Sequence, residues 1–336
     1  MVHGPELAQE LGVSTTALSQ IVNGKGRYAP ATRARVLARV RESGYAPHAG
    51  ARAARLQRFD AVAVFNSQEG WLGQLNPQML DAIACAAAER GRRLIIETVP
   101  LAGGQEIERR TCLFAQRLCD GLLMNHHLPP SPAMRRLVAG CGVPALWLNL
   151  DLPHGSIRPD DAAAAQQLVL ALVGHGRRRL AMVDFNHNHG WAAAIGGAHY
   201  SAGMRWQAAQ EAAAEAGVAI RLINRDRPPF AERVAAIRDI LGQADAPDGF
   251  ICYSDGEAQA VLLAMAGLGV EPGGVAGLVQ FAEQAAVAGR PVSTALIPSR
   301  ALGMEAIAVL CAAIDGEVGK MPSRIVPFTY QLEPTL

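Results

Sequence analysis

The chain has 336 residues, is 50% hydrophobic and 18% charged, and sets 31 Lys/Arg against 30 Asp/Glu for a net charge of +1. That apolar share excludes a disordered chain, and the length suits two or three domains with full cores and no need of disulfide staples. No uninterrupted apolar run reaches the ~20 residues a bilayer span needs, and Met1–Glu6 lacks the basic and apolar regions of a secretory signal, so a cytoplasmic protein with no membrane contact is expected.

The near-neutral total hides an asymmetry. Residues 1–58 hold nine Lys/Arg and three acids, a net of +6, whereas the other 278 residues hold 22 Lys/Arg and 27 acids, a net of −5. A basic head on an acidic body points to nucleic acid at one end and a different partner elsewhere.

Three short helices are expected over residues 5–43. Pro5 and Glu6 suit a helix start, Leu7, Ala8 and Leu11 share one face, and Gly12 stops the turn. Ser14 is a good N-cap for a second helix, Thr15–Asn23, with Ala17, Leu18, Ile21 and Val22 as its apolar stripe. Pro30 opens a third helix, with Val36, Leu37 and Val40 inward and Gly44 as the stop. Two helices joined by a glycine turn are the elements of a helix-turn-helix. Opposite the apolar stripe, the second helix shows Thr15, Thr16, Ser19 and Gln20. Glutamine can pair with adenine in a bidentate way and a threonine methyl can touch the thymine methyl. A solvated face of an ordinary three-helix unit would show the same pattern, and the local +6 charge is what favours DNA.

The run Glu6-Leu7-Ala8-x-x-Leu11-Gly12-Val13-Ser14-x-x-x-Leu18-Ser19-x-x-Val22-Asn23-Gly24, continued by Ala31-Thr32-Arg33-x-Arg35-Val36 and Gly44-Tyr45-x-Pro47, resembles the head of the lactose-repressor/galactose-repressor family of bacterial transcription regulators. The layout of the remaining chain resembles that family too. The resemblance implies that Thr15, Thr16 and Gln20 read bases, and that Ser14, Ser19, Asn23 and Thr32 contact phosphates or brace the motif. Arg33, next to Thr32, is expected at the DNA as well. Residues 47–58 match the family's hinge, in which relatives form a short helix that wedges the minor groove open with a leucine. This chain departs from that pattern: Ala54 holds the wedge position, Leu56 follows two residues later, and Gly50 weakens the helix. Either Leu56 acts in a shifted register or the wedge is weak; Arg52 and Arg55 supply basic contacts, and a plain basic linker is the simpler alternative.

From Asp60 onward short apolar runs alternate with helical patterns. Strands are expected at Ala61–Phe65, Leu94–Glu97, Gly121–Met124, Ala145–Asn149, Leu180–Asp184, Ala219–Ile223, Gly249–Tyr253 and Val275–Val279. Helices are expected at Pro77–Arg90, Gln105–Leu118, Ala133–Ala139, Ala162–Val173, Ala202–Ala216, Ala231–Leu241, Glu257–Leu268 and Arg300–Asp315. This is the βαβ rhythm of parallel sheets covered by helices on both faces. The expected fold is therefore α/β: an all-α helix-turn-helix head (1–46), a hinge (47–58) and a body (59–336) of two doubly wound parallel-sheet subdomains, periplasmic-binding-protein-like. The first sheet takes 59–157 and 299–322, the second 158–298 and 323–336. The chain stops soon after its last strand, so no trailing heptad helix is expected to make a tetramer.

Motifs for catalysis are missing. There is no P-loop, no dinucleotide-binding glycine pattern after a strand, no G-x-S-x-G and no H-E-x-x-H. The six cysteines form no C-x-x-C and no zinc spacing, and read as thiols of a reduced compartment. No cofactor is expected. Asp184, His187 and His189 lie within six residues, a spacing compatible with a transition metal, but a loop after a strand facing a cleft fits small-molecule contact better.

By the resemblance, a small-molecule effector, sugar or sugar-derived, binds between the two sheets outside the strand carboxyl ends. Asn125, Asn149 and Asp255 follow the family there. Tyr200 replaces the family's pocket arginine, Phe281 its acid, and Ile297 its glutamine. Such a pocket loses charge-assisted bonds and gains flat faces, with Trp71, Trp191 and the His187/His189 loop lining it further. The expected molecule is a DNA-binding regulator, most simply a repressor, that reads a pseudo-palindromic operator as a homodimer.

Overall fold

The computed structural model describes residues 3–45, 58–68, 75–100, 118–125, 130–185, 199–225, 228–332 and 335–336. Arg52, Ala54, Arg55 and Leu56 of the hinge, Trp71, the helix expected after Gln105, and His187, His189 and Trp191 lie outside the described residues. The chain divides into two compact units between Asp60 and Ala61.

The first unit is three helices, α1 (Gly4–Glu10), α2 (Thr15–Val22) and α3 (Pro30–Ser43). Their ends follow the local chemistry of the sequence. The Ser14 hydroxyl accepts from the Ala17 amide at 3.1 Å, and Gly44 closes α3 at φ +63°. Leu7, Ala8, Leu11, Leu18, Ile21 and Val36 form the core, with Val13, Tyr28, Leu37 and Val40 against it. So small a core is braced by polar ties. Arg39 pairs with Glu10 at 2.6 Å, and Arg35 donates to the Leu11 carbonyl at 3.3 Å.

The second unit alternates strands and helices: β1 (Ala61–Gln68), α4 (Pro77–Glu89), β2 (Arg93–Pro100), β3 (Gly121–Asn125), α5 (Pro132–Gly140), β4 (Ala145–Leu148), β5 (Ser156–Pro159), α6 (Asp161–Gly174), β6 (Arg179–Val183), α7 (Tyr200–Glu215), β7 (Ala219–Ile223), α8 (Phe230–Leu241), β8 (Gly249–Cys252), α9 (Asp255–Gly267), β9 (Gly277–Ala282), the small hairpin β10 (Ala286–Val287) and β11 (Arg290–Pro291), β12 (Ser293–Leu296), α10 (Ser299–Ile314), β13 (Arg324–Val326) and β14 (Thr329–Gln331). Two six-stranded sheets result, with orders β13-β5-β4-β3-β1-β2 and β14-β12-β9-β8-β6-β7. Only β14 runs antiparallel to its neighbour in these two sheets.

Apolar residues alternate between the faces of the second sheet, as a strand buried on both sides requires. Leu180 and Met182 of β6, with Ile251 of β8, pack under α6 and α7; Ala181, Val183, Phe250 and Cys252 pack under α8 and α9. In the first sheet, Val62, Val64, Leu123 and Leu146 meet α4 and α10. At that helix pair a Cβ on Gly303 would stand 2.6 Å from the Met79 carbonyl oxygen and 2.9 Å from the Ala82 Cβ. Gly303→Ala must push two helix backbones apart. It is expected to cost ~1–3 kcal/mol, read as a lower urea midpoint with an unchanged slope.

Three expectations change. The four-residue strand β5 has no counterpart among the expected strands; it ends in proline and carries Ser156 and Arg158, so it lacks an apolar run, and it keeps residues 158 and 159 in the first sheet. Residues 323–336 do not all finish the second sheet: β13 pairs with β5, Arg324 opposite Ile157, and only β14 joins the second. Lastly, β9 lies two to three residues later than expected. Val275 is 71% exposed, and the strand begins where Gly277 pairs with Gly249.

Candidate functional site

In the head, α2 turns Leu18 and Ile21 inward and leaves Thr15, Thr16 and Gln20 exposed. Gln20 is not a loose side chain. The Tyr28 hydroxyl donates to its Oε1, and Tyr28 lies so close to Gly26 that a Cβ there would meet the ring at 2.5 Å. With its carbonyl oxygen engaged, Gln20 presents its NH2 outward as a donor. Ser14 is an exposed cap, Ser19 and Asn23 are half-buried, and the Asn23 amide donates to the Ser19 carbonyl at 2.6 Å, closing the helix. Thr32 is half-buried in the first turn of α3. Arg33 donates to the Gly26 carbonyl at 3.1 Å and so braces the turn after α2. Lys25, Arg27 and Arg41 are the exposed bases of this unit that no such tie engages among the described residues.

In the body, a cavity of about 470 Å³ opens where the carboxyl ends of both sheets meet. Its wall takes Asn76 from the start of α4, Asn149 after β4, Tyr200 and Arg205 from α7, Asp255 from α9 and Glu283 after β9. Asn149 is held at φ +55°. The centre is a buried ion pair. Arg205 Nε donates to Asp161 Oδ1 at 2.7 Å, and Arg205 Nη1 to the Tyr253 carbonyl at 3.1 Å. Asp161 is fully buried and Arg205 5% exposed, a placement an arginine tolerates only when paired. The second oxygen of Asp161 accepts from the Tyr200 hydroxyl at 2.9 Å. Burial and the Asp161 charge hold the Tyr200 phenol well above its ordinary value, so it remains a donor. Burial likewise pushes Tyr253 up to about 12, against the opposing pull of Arg205. Tyr253 also shares a 2.7 Å hydrogen bond with Ser201.

Of the residues expected to bind a ligand, Asn149, Tyr200, Asp255 and Phe281 line this cavity. Asn125 does not; it is buried at the end of β3 and donates to Asn66 at 2.9 Å. The expected shortage of polar anchors is corrected. Tyr200 does stand where the family's arginine is expected, but Arg205, five residues on, fills the same wall. Phe281 lies inside β9 and is fully buried, and the acid after the strand is Glu283. The Phe281 and Tyr253 rings are taken by the Arg205 guanidinium, which lies 4.0 Å and 4.7 Å from their centroids, while Trp71 and Trp191 lie outside the described residues. Among the described residues, no group of three metal-ligating side chains occurs, and no helix is long and apolar enough to cross a membrane.

Residues 169–332 match the model of a periplasmic binding protein-like domain. The chain is 26% identical over 334 residues to the HTH-type transcriptional regulator CelR of Thermobifida fusca, covering 95% of this chain and 93% of that protein. It is 24% identical over 271 residues to the regulator RafR of Escherichia coli, covering 78% and 76%. Among solved structures, the Lac repressor bound to ONPG in the repressed state superposes with a TM-score of 0.82 at 19% identity, over 100% of this chain and 99% of that one. A CelR–cellobiose complex superposes with a TM-score of 0.67 at 22% identity, over the full length of both chains. With its capped three-helix head and a body of two sheets about a cleft, the chain is similar over nearly its whole length to HTH-type regulators of transcription, and its residues 169–332 to a periplasmic binding protein-like domain.

Proposed function

We propose that the protein is a sequence-specific DNA-binding repressor whose operator affinity is set by a small polar effector, of the carbohydrate-derived kind, bound in the cavity of the body. The observation that carries this reading is the face of α2, where Thr15 and Thr16 are exposed and Tyr28 fixes the orientation of Gln20. A solvated helix has no reason to spend a tyrosine on the aim of one glutamine. The likeness to regulators rather than enzymes supports a non-catalytic role, and a cytoplasmic site of action follows from binding DNA. One head reads only a few base pairs, so a homodimer on a pseudo-palindrome supplies the remaining specificity; the solved Lac repressor dimer on operator DNA supports the same assembly here.

The test is a gel shift of the full chain on its own upstream DNA, followed by operator selection. Gln20→Ala is expected to relax preference at one base position, by up to the ~1–3 kcal/mol of a base contact. Tyr28→Phe keeps the ring and loses the hydroxyl, so it should relax the same position by less. An unchanged base preference in both variants would remove α2 from the major groove.

Salt provides a second measure. Lys25, Arg27 and Arg41 in each head of a dimer neutralise about six phosphates, hence a slope of log affinity on log salt of about −5 or steeper, at ~0.9 per phosphate. Arg33→Gln should weaken binding through the turn it braces and leave that slope unchanged. A slope shallower than about −2 would overturn the phosphate assignment.

A further inference from the structure

The cavity carries more negative charge than its own cations neutralise. Asp161 is matched by Arg205, which is fully engaged by that carboxylate, by the Tyr253 carbonyl and by the rings beneath it. Arg158, 6.0 Å from the Tyr200 ring, is paired with Asp151 at 2.9 Å, and Arg300 lies 3.6 Å from Asp81. Asp255 and Glu283 remain. Glu283 Oε1 accepts from the Ser299 hydroxyl at 2.6 Å, while its Oε2 is shielded from solvent and has no hydrogen-bond partner among the described residues. Asp255 stands exposed on the same wall. The segments that follow β1 and β6, residues 69–74 and 186–198, contain Glu69, His187 and His189 and no lysine or arginine.

We propose that the ligand of this cavity is a polyhydroxylated molecule carrying a basic amine, with its ammonium against Glu283 and Asp255. The inference rests on the effector-controlled reading above and names the class of effector. An unmatched carboxylate oxygen is costly unless something donates to it, and a turn of the Glu283 side chain toward the cavity gives that oxygen a charge-assisted bond from an ammonium. Burial raises the Glu283 carboxyl above the usual carboxylate range, the Ser299 hydroxyl pulls the other way, and the Asp255 charge adds to the rise. Asn76, Asn149 and Gln284 supply amides for hydroxyl groups. A carboxylated or phosphorylated ligand would meet two like charges here and, among the described residues of the wall, no lysine and no arginine free of Asp161 to receive it.

The test is calorimetry of the full chain, without DNA, against two matched sets: glucose, glucosamine and N-acetylglucosamine; and cellobiose, the glucosamine disaccharide and its diacetylated form. Each set varies charge at nearly fixed shape. The amino member of at least one set should bind at least tenfold more tightly than its hydroxyl and acetyl counterparts. Glu283→Gln should abolish that preference, and Asp255→Asn, at an exposed position, should reduce it. Equal affinity across both sets, tighter binding of a hydroxyl or acetyl form, or no detectable binding of either amino form overturns the proposal. The gel shift is independent of these titrations: operator binding with a neutral effector refutes only the amine, whereas amine binding without operator binding refutes only the regulator.

Discussion

Asp161→Ala is expected to lower the unfolding free energy of the body by ~3–5 kcal/mol, because it leaves the Arg205 guanidinium buried and unpaired. The geometry makes this a severe case. Asp161 is fully buried, it receives both Arg205 Nε and the Tyr200 hydroxyl, and it opens α6 at the crossing between the two sheets. One substitution thus orphans a charge and a phenol together. Arg205→Met should cost a similar amount by stranding the carboxylate. The double variant Asp161→Leu/Arg205→Met removes both charges and should recover most of the loss, since apolar replacement of a whole buried pair is often near neutral. It should not recover ligand binding, because the polar wall of the cavity goes with the pair. Urea unfolding of the three variants decides the matter. If Asp161→Ala costs less than about 1 kcal/mol, the pair is not the strut described here.

Little in the local sequence marks that pair. The partners lie 44 residues apart on different helices, and Asp161 is an acid at a helix start, where acids are common. A signal is present in α7 all the same: Ala202, Arg205, Ala209 and Ala212 share one buried face, and an arginine within an alanine stripe needs a buried partner. The head is legible almost to the residue, because its caps, its stripes and its turn glycines act within a few positions of one another. The longer strands of the body are legible from their apolar runs. Strand β5 is not, nor are β13 and β14, since runs of only three or four residues are held by their neighbours and are too short to carry a periodicity of their own. The register of β9 is hidden for a related reason. Val275 looks like a strand residue, but the sheet starts where two glycines admit the side chains of Leu172 and Leu180. That small slip puts an acid, Glu283, just past the end of the strand and in the cavity wall, where Phe281 was expected to stand in its place.

The second large effect concerns pH. Glu257, in the first turn of α9, is fully buried; the Ser254 hydroxyl donates to its Oε2, and Arg233 lies 3.9 Å from its Oε1. Burial, assisted by the nearby Asp184 charge, pushes its carboxyl from 4.5 up to about 7, with Ser254 and Arg233 pulling the other way. In the unfolded chain the same group loses its proton near 4.5. Between these values the folded protein holds a proton that the unfolded chain has released, so stability falls as pH rises from about 4.5 to about 7 and is level above. The displacement amounts to about 3 kcal/mol at 1.36 kcal/mol per pH unit. Glu257→Gln keeps the volume and the hydrogen bond from Ser254 but needs no ionisation. Relative to the parent it should be neutral or slightly destabilising at pH 4.5 and stabilising by up to about 3 kcal/mol at pH 8. Comparing the two proteins at each pH cancels the other carboxyls. Asp184→Asn should shift the falling limb of the parent curve to lower pH, since one of the charges that raise the Glu257 carboxyl is gone. Parallel stability curves for parent and Glu257→Gln across pH 4.5 to 8 would show that Glu257 is ionised in the folded protein throughout, and that Arg233 outweighs its burial.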